Sequence, residues 1–556
     1  MMSFPFRFPA LTVLAFVAPL VTYSQQLSKP DPTLAAMQAE LTREQAGLQL
    51  PGMEKPYFIE YRLDDIVSYE ALANFGALTR EENTRQRIVR VTVRIGSYAA
   101  DNSSARGEGS VGLAPTDENP QALQYALWIA TDEAYKNALR QLSAKQAALK
   151  HFEGQSPVHD FAEARPVTNV EPLRNIEIDR GEWKRRIVEA SGAYRTDAAV
   201  NRFAGDVQYS TANLRAVALN RFLVNSEGTR LLTGYTGYAA NVSVGGQADD
   251  GMRLGRDNGS VAARADELES AAAFHQRVID DLKSFNELRA APLVSAEDYH
   301  GPVLFSGDAS ADVLNRLFVP NVEGDRPDLG TAARTQGAYT SSLHARVLPA
   351  LLSATDNPLT AMFAGKHLVG AYKVDDEGVP ADPTDVVIAG KLQNFLIGRE
   401  PIRDFTTSNG HGRAAAGQPA RSRSGVMLFK PASGADGKTL SDAEMRDHLL
   451  ALAREQKRDV YAVETLADLA PRMLFLTHPD GSRQLVRGAV FDELDNRSLR
   501  SSITAAGGTP YVNNTLAPIP QTTIVPQLLF DDIGVKRANE EQQKLPYYPP
   551  PPTNEN

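Results

Sequence analysis

The residue types that build catalytic metal sites are scattered along this chain rather than grouped. A catalytic zinc site normally takes three protein ligands from His, Cys, Asp or Glu and leaves an open position for water. The chain has no cysteine, and no two of its histidines stand three to five residues apart. The histidines are His151, His159, His275, His300, His344, His367, His411, His448 and His478. The sequence therefore contains no His-Glu-x-x-His pattern, although scattered His, Asp and Glu side chains could still meet in three dimensions.

A second group of interest is a glycine-containing basic loop, which reads Ser408-Asn409-Gly410-His411-Gly412-Arg413. Its glycines allow sharp turns that present backbone N–H groups. Arg413, Arg421 and Arg423 make the region basic, because no acidic residue lies between Phe405 and Lys430. Arginine suits carboxylate recognition, so we predict that Ser408–Arg413 binds substrate through a peptide backbone or carboxylate. The alternative is a mobile, solvated loop, and His411 alone indicates no catalysis.

Residues 300–326 predict a strand, a helix and a turn in succession. An apolar face predicts the helix over 309–319, and Asp308 is its expected N-cap. Val319-Pro320 is expected to end the helix, because proline blocks continuation and restricts the residue before it. The apolar positions of this predicted helix are Ala309, Val313, Leu314, Leu317 and Phe318.

This segment resembles the active-site helix of the TldD/PmbA family, metallopeptidase-related proteins also called modulators of DNA gyrase. Gly301–Gly307 and Val322–Arg326 match the family's GPVLFEG strand and its V-E-G-x-R continuation. Between them the family carries His-Glu-x-x-x-His, and here Asn315, Arg316 and Pro320 hold the positions of the two histidines and the glutamate. These residues are poor zinc ligands. The family's third ligand, a C-terminal cysteine, is absent as well, so the resemblance implies a degenerate site without metal and without catalytic residues.

Further segments extend the resemblance over most of the chain, including the N-S-E-G turn at residues 225–228 and the stretch 375–423. The resemblance implies an α+β fold with two domains. Residues 25–290 would form a mixed α/β N-terminal domain, and residues 291–545 would form a β-rich C-terminal domain. Shorter echoes of family strands and turns lie at 485–491, 502–508 and 524–537.

The resemblance also implies a function. Family members act as dimers, and in the paired systems one subunit carries zinc while a partner of similar fold does not. This chain resembles the partner type, so we expect a non-catalytic subunit that pairs with a metal-bearing TldD-type relative, or with itself, and binds extended peptide. Zinc is expected only in the partner subunit. Two alternatives stay open, a divergent active metallopeptidase with a rebuilt metal site and a stand-alone periplasmic peptide-binding protein.

Charge and the N-terminal residues suggest where the protein acts. The net charge of −10 argues against a nucleic-acid partner, because phosphate binding needs a basic face. Arg7, the apolar run Ala10–Val21 and the small residues after it predict a signal peptide over 1–24 and export to the periplasm or beyond. We expect cleavage after Ser24 and no stable membrane span afterwards; an uncleaved anchor is the alternative.

The remaining pattern outlines the elements that must position these groups. In residues 57–63 and 89–95, apolar and polar residues alternate, which predicts strands with one face on a core and the other in water. Asn119-Pro120 predicts the start of a long helix, and 173–244 read as strands. A further helix is expected over 266–288, and the proline-rich end at 546–556 as an extended tail.

Overall fold

The computed structural model of this protein describes residues 31–103, 109–151, 158–327, 329, 333–431 and 439–539. The predicted signal peptide over 1–24 and the predicted tail over 546–556 lie outside these residues. Among the helices in the described part of the chain, none is both long enough and apolar enough to cross a membrane.

The first half of the chain forms one sheet with helices packed on it. Its helices are α1 Pro32–Gly47, α2 Pro120–Leu149, α3 Arg180–Thr196 and α4 Ala271–Ala290. Its strands are β1 Pro56–Asn74, β2 Ala77–Ile95, β3 Ser110–Leu113, β4 Thr168–Val170, β5 Val207–Asn225, β6 Arg230–Gln247 and β7 Arg253–Ala262. The strand order is β3-β2-β1-β5-β6-β4, and β7 pairs with β6 as well.

Strand β1 packs against helices along one face. Its residues Tyr61 and Leu63 share a buried cluster with α1 and α2. Farther along the same face, Tyr69 and Ala71 share a second buried cluster with α3 and α4. Because alternate residues of a strand point to opposite sides of the sheet, the even-numbered residues of β1 face away from all four helices.

Part of that opposite face, in the first half of β1, is buried too. Phe58, Arg62 and Asp64 are 1%, 2% and 0% exposed. The expectation that the second face meets water is therefore wrong here, because residues from the second half of the chain cover it. Arg62 donates to the Gln418 carbonyl, and the Gly417 N–H donates to the Asp64 Oδ2 atom at 2.9 Å.

In this half, two predictions from local sequence signals are confirmed and one is wrong. Asn119 caps α2 through its side chain, as expected, and the N-S-E-G residues form the turn between β5 and β6. The expectation of strands throughout 173–244 is wrong, because α3 occupies part of it. Asp179 caps α3, and its buried residues Trp183 and Ile187 recur at helical spacing.

The second half is richer in strands, which confirms the predicted α+β class with a β-rich C-terminal part. Its helices are α5 Gly307–Leu317, α6 Val319–Val322, α7 Asp442–Gln456 and α8 Asn496–Ser501. Its strands are β8 Tyr299–Phe305, β9 Leu352–Asp356, β10 Met362–Phe363, β11 Lys366–His367, β12 Thr384–Ile388, β13 Lys391–Leu392, β14 Gly412–Arg413, β15 Arg421–Ser422, β16 Val426–Pro431, β17 Val460–Ala467, β18 Ala470–Thr477, β19 Arg483–Val486, β20 Ala489–Asp492, β21 Ile503–Ala506, β22 Tyr511–Thr515, β23 Gln521–Val525 and β24 Leu528–Arg537.

Two larger sheets enclose the main core of this half. One has the order β13-β12-β9-β16-β23-β22, and the other has the order β19-β18-β17-β8-β24-β20, with β21 also paired to β24. Helix α5 contacts β17 of one sheet and β22 and β23 of the other. The apolar side of α5, including Val313 and Leu314, is fully buried in the cluster between the sheets.

Buried ion pairs join the two halves. Arg399, which is 1% exposed, donates to both carboxylate oxygens of Glu227 at 2.7 and 2.6 Å. Its guanidinium also lies 4.1 Å from the centre of the Phe161 ring. Arg326 donates to the Asp160 carboxylate at 2.9 Å. Glu227 belongs to the N-S-E-G turn, so this turn connects the halves as well as two strands.

Candidate functional site

Helix α5 is held by a cap other than the one expected. The Ser306 hydroxyl accepts from the Ala309 N–H at 3.1 Å and is the N-cap, so the expectation for Asp308 is wrong. The helix ends at Leu317, and α6 then runs through Pro320. The predicted helix over 309–319 therefore ends early. Pro320 lies in the first turn of α6, where its missing N–H costs no hydrogen bond.

Asn315, at the first histidine position, connects α5 to neighbouring strands. The Thr523 hydroxyl donates to the Asn315 Oδ1 atom at 2.6 Å. The Asn315 Nδ2 atom donates to the Asn513 side chain at 3.4 Å. Both ends of the amide therefore hold β22 and β23 against the helix.

Arg316 and Pro320 face other surroundings. Arg316 has a 48% exposed side chain that pairs with Asp312 at 3.8 Å and with Asp468 between β17 and β18. Pro320 is exposed. The side chains at the three motif positions therefore do not converge on one point, as zinc ligands must.

The donor set does not fit zinc. A guanidinium would repel the cation, the amide of Asn315 is used within the protein, and proline has no side-chain donor. Among the described residues, no group of three or more His, Cys, Asp or Glu is placed to hold a metal ion.

The V-E-G-D-R continuation contacts residues that flank the basic loop. The Gly324 N–H donates to the Leu396 carbonyl at 2.8 Å, and the Ser424 N–H donates to the Glu323 Oε1 atom at 3.2 Å. Burial raises the pKa of Glu323 to about 7, and the nearby Arg423 guanidinium opposes that shift. This continuation therefore contacts the chain on either side of the basic loop.

Ser408 and Asn409 fix one end of the basic loop. The Ser408 hydroxyl donates to the Ile397 carbonyl at 2.9 Å. Asn409 accepts from the Ile397 N–H at 2.7 Å and donates to the Phe395 carbonyl at 2.9 Å. Gly410 follows with φ +74°, and a Cβ atom there would lie 2.3 Å from the Pro380 carbonyl oxygen. Only glycine fits this turn without a shift of the backbone.

His411 is fully buried in a hydrogen-bond network. Its Nδ1 atom lies 2.9 Å from the Asn409 side-chain oxygen, and its Nε2 atom lies 3.3 Å from the Asp356 Oδ1 atom. Asp356 also accepts from the Ser424 hydroxyl at 2.5 Å and from the Val426 N–H at 3.1 Å. His411 therefore orders the interior. The alternative of a solvated loop is wrong for these residues.

The acidic turn at 375–377 packs directly on Gly412. The Gly412 N–H donates to the Asp375 Oδ2 atom at 2.9 Å, and a Cβ atom on Gly412 would lie 2.0 Å from the Glu377 Oε2 atom. Burial raises the pKa of Asp375 to about 7, which its backbone N–H partners counteract. Burial and the Asp375 charge raise the pKa of Glu377 to about 8. The structure thus brings together two segments that the sequence singled out separately.

Arg413 ends the loop beside a cavity between the two halves. The Arg413 side chain lies 4.1 Å from the centre of the Tyr372 ring, and its Nε atom is 3.4 Å from the Asp376 Oδ2 atom. The cavity has a volume of about 340 Å³, and Arg221 and Tyr235 of the first sheet line it together with Arg413.

Sequence reasoning missed the contribution of the N-terminal half to this region. Arg62 and Asp64 lie on β1 and Arg221 lies on β5, and all three are buried. The sequence does contain a pattern that indicates these residues, because charged residues occur at alternate positions inside otherwise apolar strands. Buried charges are normally paired, so such positions call for partners elsewhere in the fold.

Comparison with known proteins agrees with this architecture. Residues 298–465 match the family model described as the PmbA/TldA metallopeptidase C-terminal domain. The comparison with curated proteins gave no match.

Solved structures share the fold at low sequence identity. A candidate modulator of DNA gyrase from Thermotoga maritima is 13% identical, with a TM-score of 0.58, and the match covers 90% of this chain and 99% of that one. TldE from Thermococcus kodakarensis is also 13% identical, with a TM-score of 0.58 and coverage of 90% and 100%. A candidate modulator of DNA gyrase from Bacteroides thetaiotaomicron is 10% identical, with a TM-score of 0.57 and coverage of 91% and 98%.

These identities establish the fold alone, while the match over 298–465 covers the motif helix and the basic loop, so residues 298–465 are identified as similar to the PmbA/TldA metallopeptidase C-terminal domain within a chain that shares the fold of these solved structures.

Proposed function

We propose that this protein is a non-catalytic, exported subunit that pairs with a zinc-bearing TldD-type relative and helps it bind extended peptide. The observation that carries the proposal is the set of contacts made by the three motif side chains of the α5–α6 segment. Asn315 is bonded to Thr523, Arg316 is ion-paired to Asp468, and Pro320 is exposed. The frame of the motif is present, and its three key side chains serve packing and surface contacts instead of metal binding.

The fold similarity to a protein named TldE supports the same proposal. The family resemblance implies that the paired systems contain a metal-free partner, and the donor set described above suits that role. Zinc would then reside in the TldD-type subunit, together with the hydrolytic step. Export is proposed from the N-terminal apolar run, and its test is the N-terminal residue of protein isolated from the native host.

The experiment compares the chain alone with the complex. The mature chain is purified by itself and together with a His-Glu-x-x-x-His relative encoded in the same genome. Zinc content and cleavage of an unfolded peptide are measured for each preparation. We expect zinc and cleavage only when the relative is present. Stoichiometric zinc with robust hydrolysis by the lone chain would overturn the proposal in favour of a rebuilt metal site.

Matched variants locate the reaction within the complex. Replacing the motif glutamate of the relative by glutamine is expected to abolish cleavage, because that residue would act as general base. Arg316→Ala in this chain is expected to leave the cleavage rate unchanged. If no relative co-purifies from the native host and none stimulates cleavage, the subunit role fails.

A further inference from the structure

The cavity between the two halves has the size of a small ligand site. Its volume of about 340 Å³ is at the lower end of the range of roughly 300–1,000 Å³ for such sites. Strands β5 and β6 provide one wall, and residues 358–376 with Arg413 and Ala414 provide another. A cavity of this size admits a short chain end rather than a folded partner.

Buried arginines concentrate beside this cavity. Arg221 pairs with Asp64 at 2.6 Å and with Asp376 at 2.5 Å. Arg62 lies 3.6 Å from the same Asp64 carboxylate, and Arg413 lies 3.4 Å from Asp376. Three buried guanidinium groups therefore contact two carboxylates. Burial alone would raise the pKa of Asp376, but the charges of Arg221 and Arg413 outweigh it and hold that pKa at about 2.

Two hydrogen-bond donors in this cluster lack an acceptor among the described residues, the Arg62 Nε atom and the Arg413 Nη1 atom, and of these two residues Arg413 lines the cavity. The Arg413 Nη1 atom has no partner among the described residues, although Arg413 is only 6% exposed. The Tyr372 ring stacks on the guanidinium and its hydroxyl donates to the Gly410 carbonyl at 2.9 Å, so both are held in place. An unsatisfied buried donor on a charged group is costly unless a ligand completes it.

A second polar group and an apolar surface lie on the same cavity. Tyr235 lines it, and within the described residues its hydroxyl makes no hydrogen bond. Leu219, Ala361 and Val369 contribute apolar surface. A fitting ligand therefore combines an anionic group for Arg413 with a small apolar group.

From this geometry we propose that the cavity binds the C-terminal carboxylate of a peptide whose last side chain is small and apolar. Arg413 donates to the carboxylate, Tyr235 donates a further hydrogen bond, and the apolar wall receives the side chain. The inference rests on the proposed function only in taking a peptide as the ligand. It assigns the predicted loop residue Arg413 a particular role and adds a partner from the N-terminal half.

The test uses the full mature chain and a dye-labelled pentapeptide that ends in a free alanine carboxylate. Binding is measured by fluorescence polarisation, with the same peptide amidated at its C-terminus and with inorganic phosphate as competitor. We expect the amidated peptide to bind at least about tenfold more weakly, since a hydrogen bond to a charged group contributes roughly that factor or more. Equal binding of the amidated peptide overturns the proposal, and so does phosphate that displaces the peptide at equal concentration.

Matched variants assign the contacts. Arg413→Gln is expected to weaken binding about tenfold or more. Arg421→Gln is the control, because Arg421 lies opposite Arg413 in the β14–β15 ladder but is 43% exposed and pairs with Glu400. Tyr235→Phe removes a hydroxyl that bonds to no described residue, so it spares the fold, and we expect binding several-fold weaker. Wild-type affinity in this variant contradicts the proposed site, even if Arg413→Gln fails to fold.

Failure here is distinguishable from failure of the subunit role. A complex that cleaves peptide while the lone chain shows no carboxylate preference would remove the cavity proposal alone. A lone chain that binds the free carboxylate but never associates with a relative would remove the subunit role alone.

Discussion

The α5–α6 segment and the Ser408–Arg413 loop both match family motifs, but their side chains are arranged in opposite ways. In α5–α6 the notable side chains diverge, with Asn315 toward β22 and β23 and Arg316 toward a hairpin on the other sheet. In the loop they converge on buried partners, as His411 does on Asp356. A backbone that matches the family motif therefore does not establish that the metal site is present. Polar side chains that converge on buried partners, in contrast, mark places where the stability of the fold depends on those side chains.

Asp356→Ala should give the largest effect and tests the convergent region. The change removes the acceptor for Ser424, Val426 and His411 in a fully buried place. We expect a loss of about 3 kcal/mol or more in the free energy of unfolding, because each unsatisfied buried group costs roughly 1–3 kcal/mol. Urea denaturation measures it. Asp385→Ala, at an exposed strand position, is the control and should change stability by less than about 0.5 kcal/mol.

Glu377→Gln should reveal a pH dependence that comes from the loop region. Burial raises the pKa of Glu377 to about 8, above its value in the unfolded chain. Between these two pKa values the folded state retains a proton that the unfolded state releases. The stability that protonated Glu377 contributes is therefore complete below the unfolded pKa and is lost as pH rises toward 8. The slope for one proton is about 1.4 kcal/mol per pH unit. Between about pH 5 and pH 8, denaturation should show wild type losing stability relative to Glu377→Gln. Parallel curves would contradict the protonated assignment.

Asn315→Ala should have an intermediate effect on stability, and it tests the α5–α6 segment. Two hydrogen bonds to β22 and β23 disappear, and we expect a cost of about 1–2 kcal/mol. A double-mutant cycle with Thr523→Val should show coupling between the two side chains. A cost as large as that of Asp356→Ala would break the distinction between the two regions.

Arg316→Ala should have the smallest effect. Its side chain is 48% exposed, and its partner Asp468 is 74% exposed. Exposed ion pairs contribute roughly 0–1 kcal/mol, so thermal unfolding should barely shift. A large destabilisation would show that the divergent segment is as integral to the fold as the loop.

The sequence could predict those features that depend on local signals. Asn119 and the N-S-E-G turn act through residues close in the chain, and both were placed correctly. The resemblance also singled out the acidic turn and the basic loop, which lie together in the structure. In contrast, the break at Phe318 lies in the buried core between the two sheets, and it falls earlier than proline alone suggests.

The rest depended on contacts between distant parts of the chain. Alternation in β1 indicated two faces, but it could not show that a second half of the protein would cover Arg62 and Asp64. The Arg413 donor that no described residue accepts, and the cavity beside it, likewise exist only once β5, β6 and the loop are assembled.

The Arg399–Glu227 pair has a consequence for how the cavity is reached. Arg399 is almost wholly enclosed and bonded to the turn of the other half. Separating the halves would leave buried charges without partners, which is strongly unfavourable. A clamshell opening is therefore disfavoured, and the two halves should unfold as one cooperative body. A peptide end would have to thread in through the existing mouth, so its entry and departure should be governed by the width of that mouth.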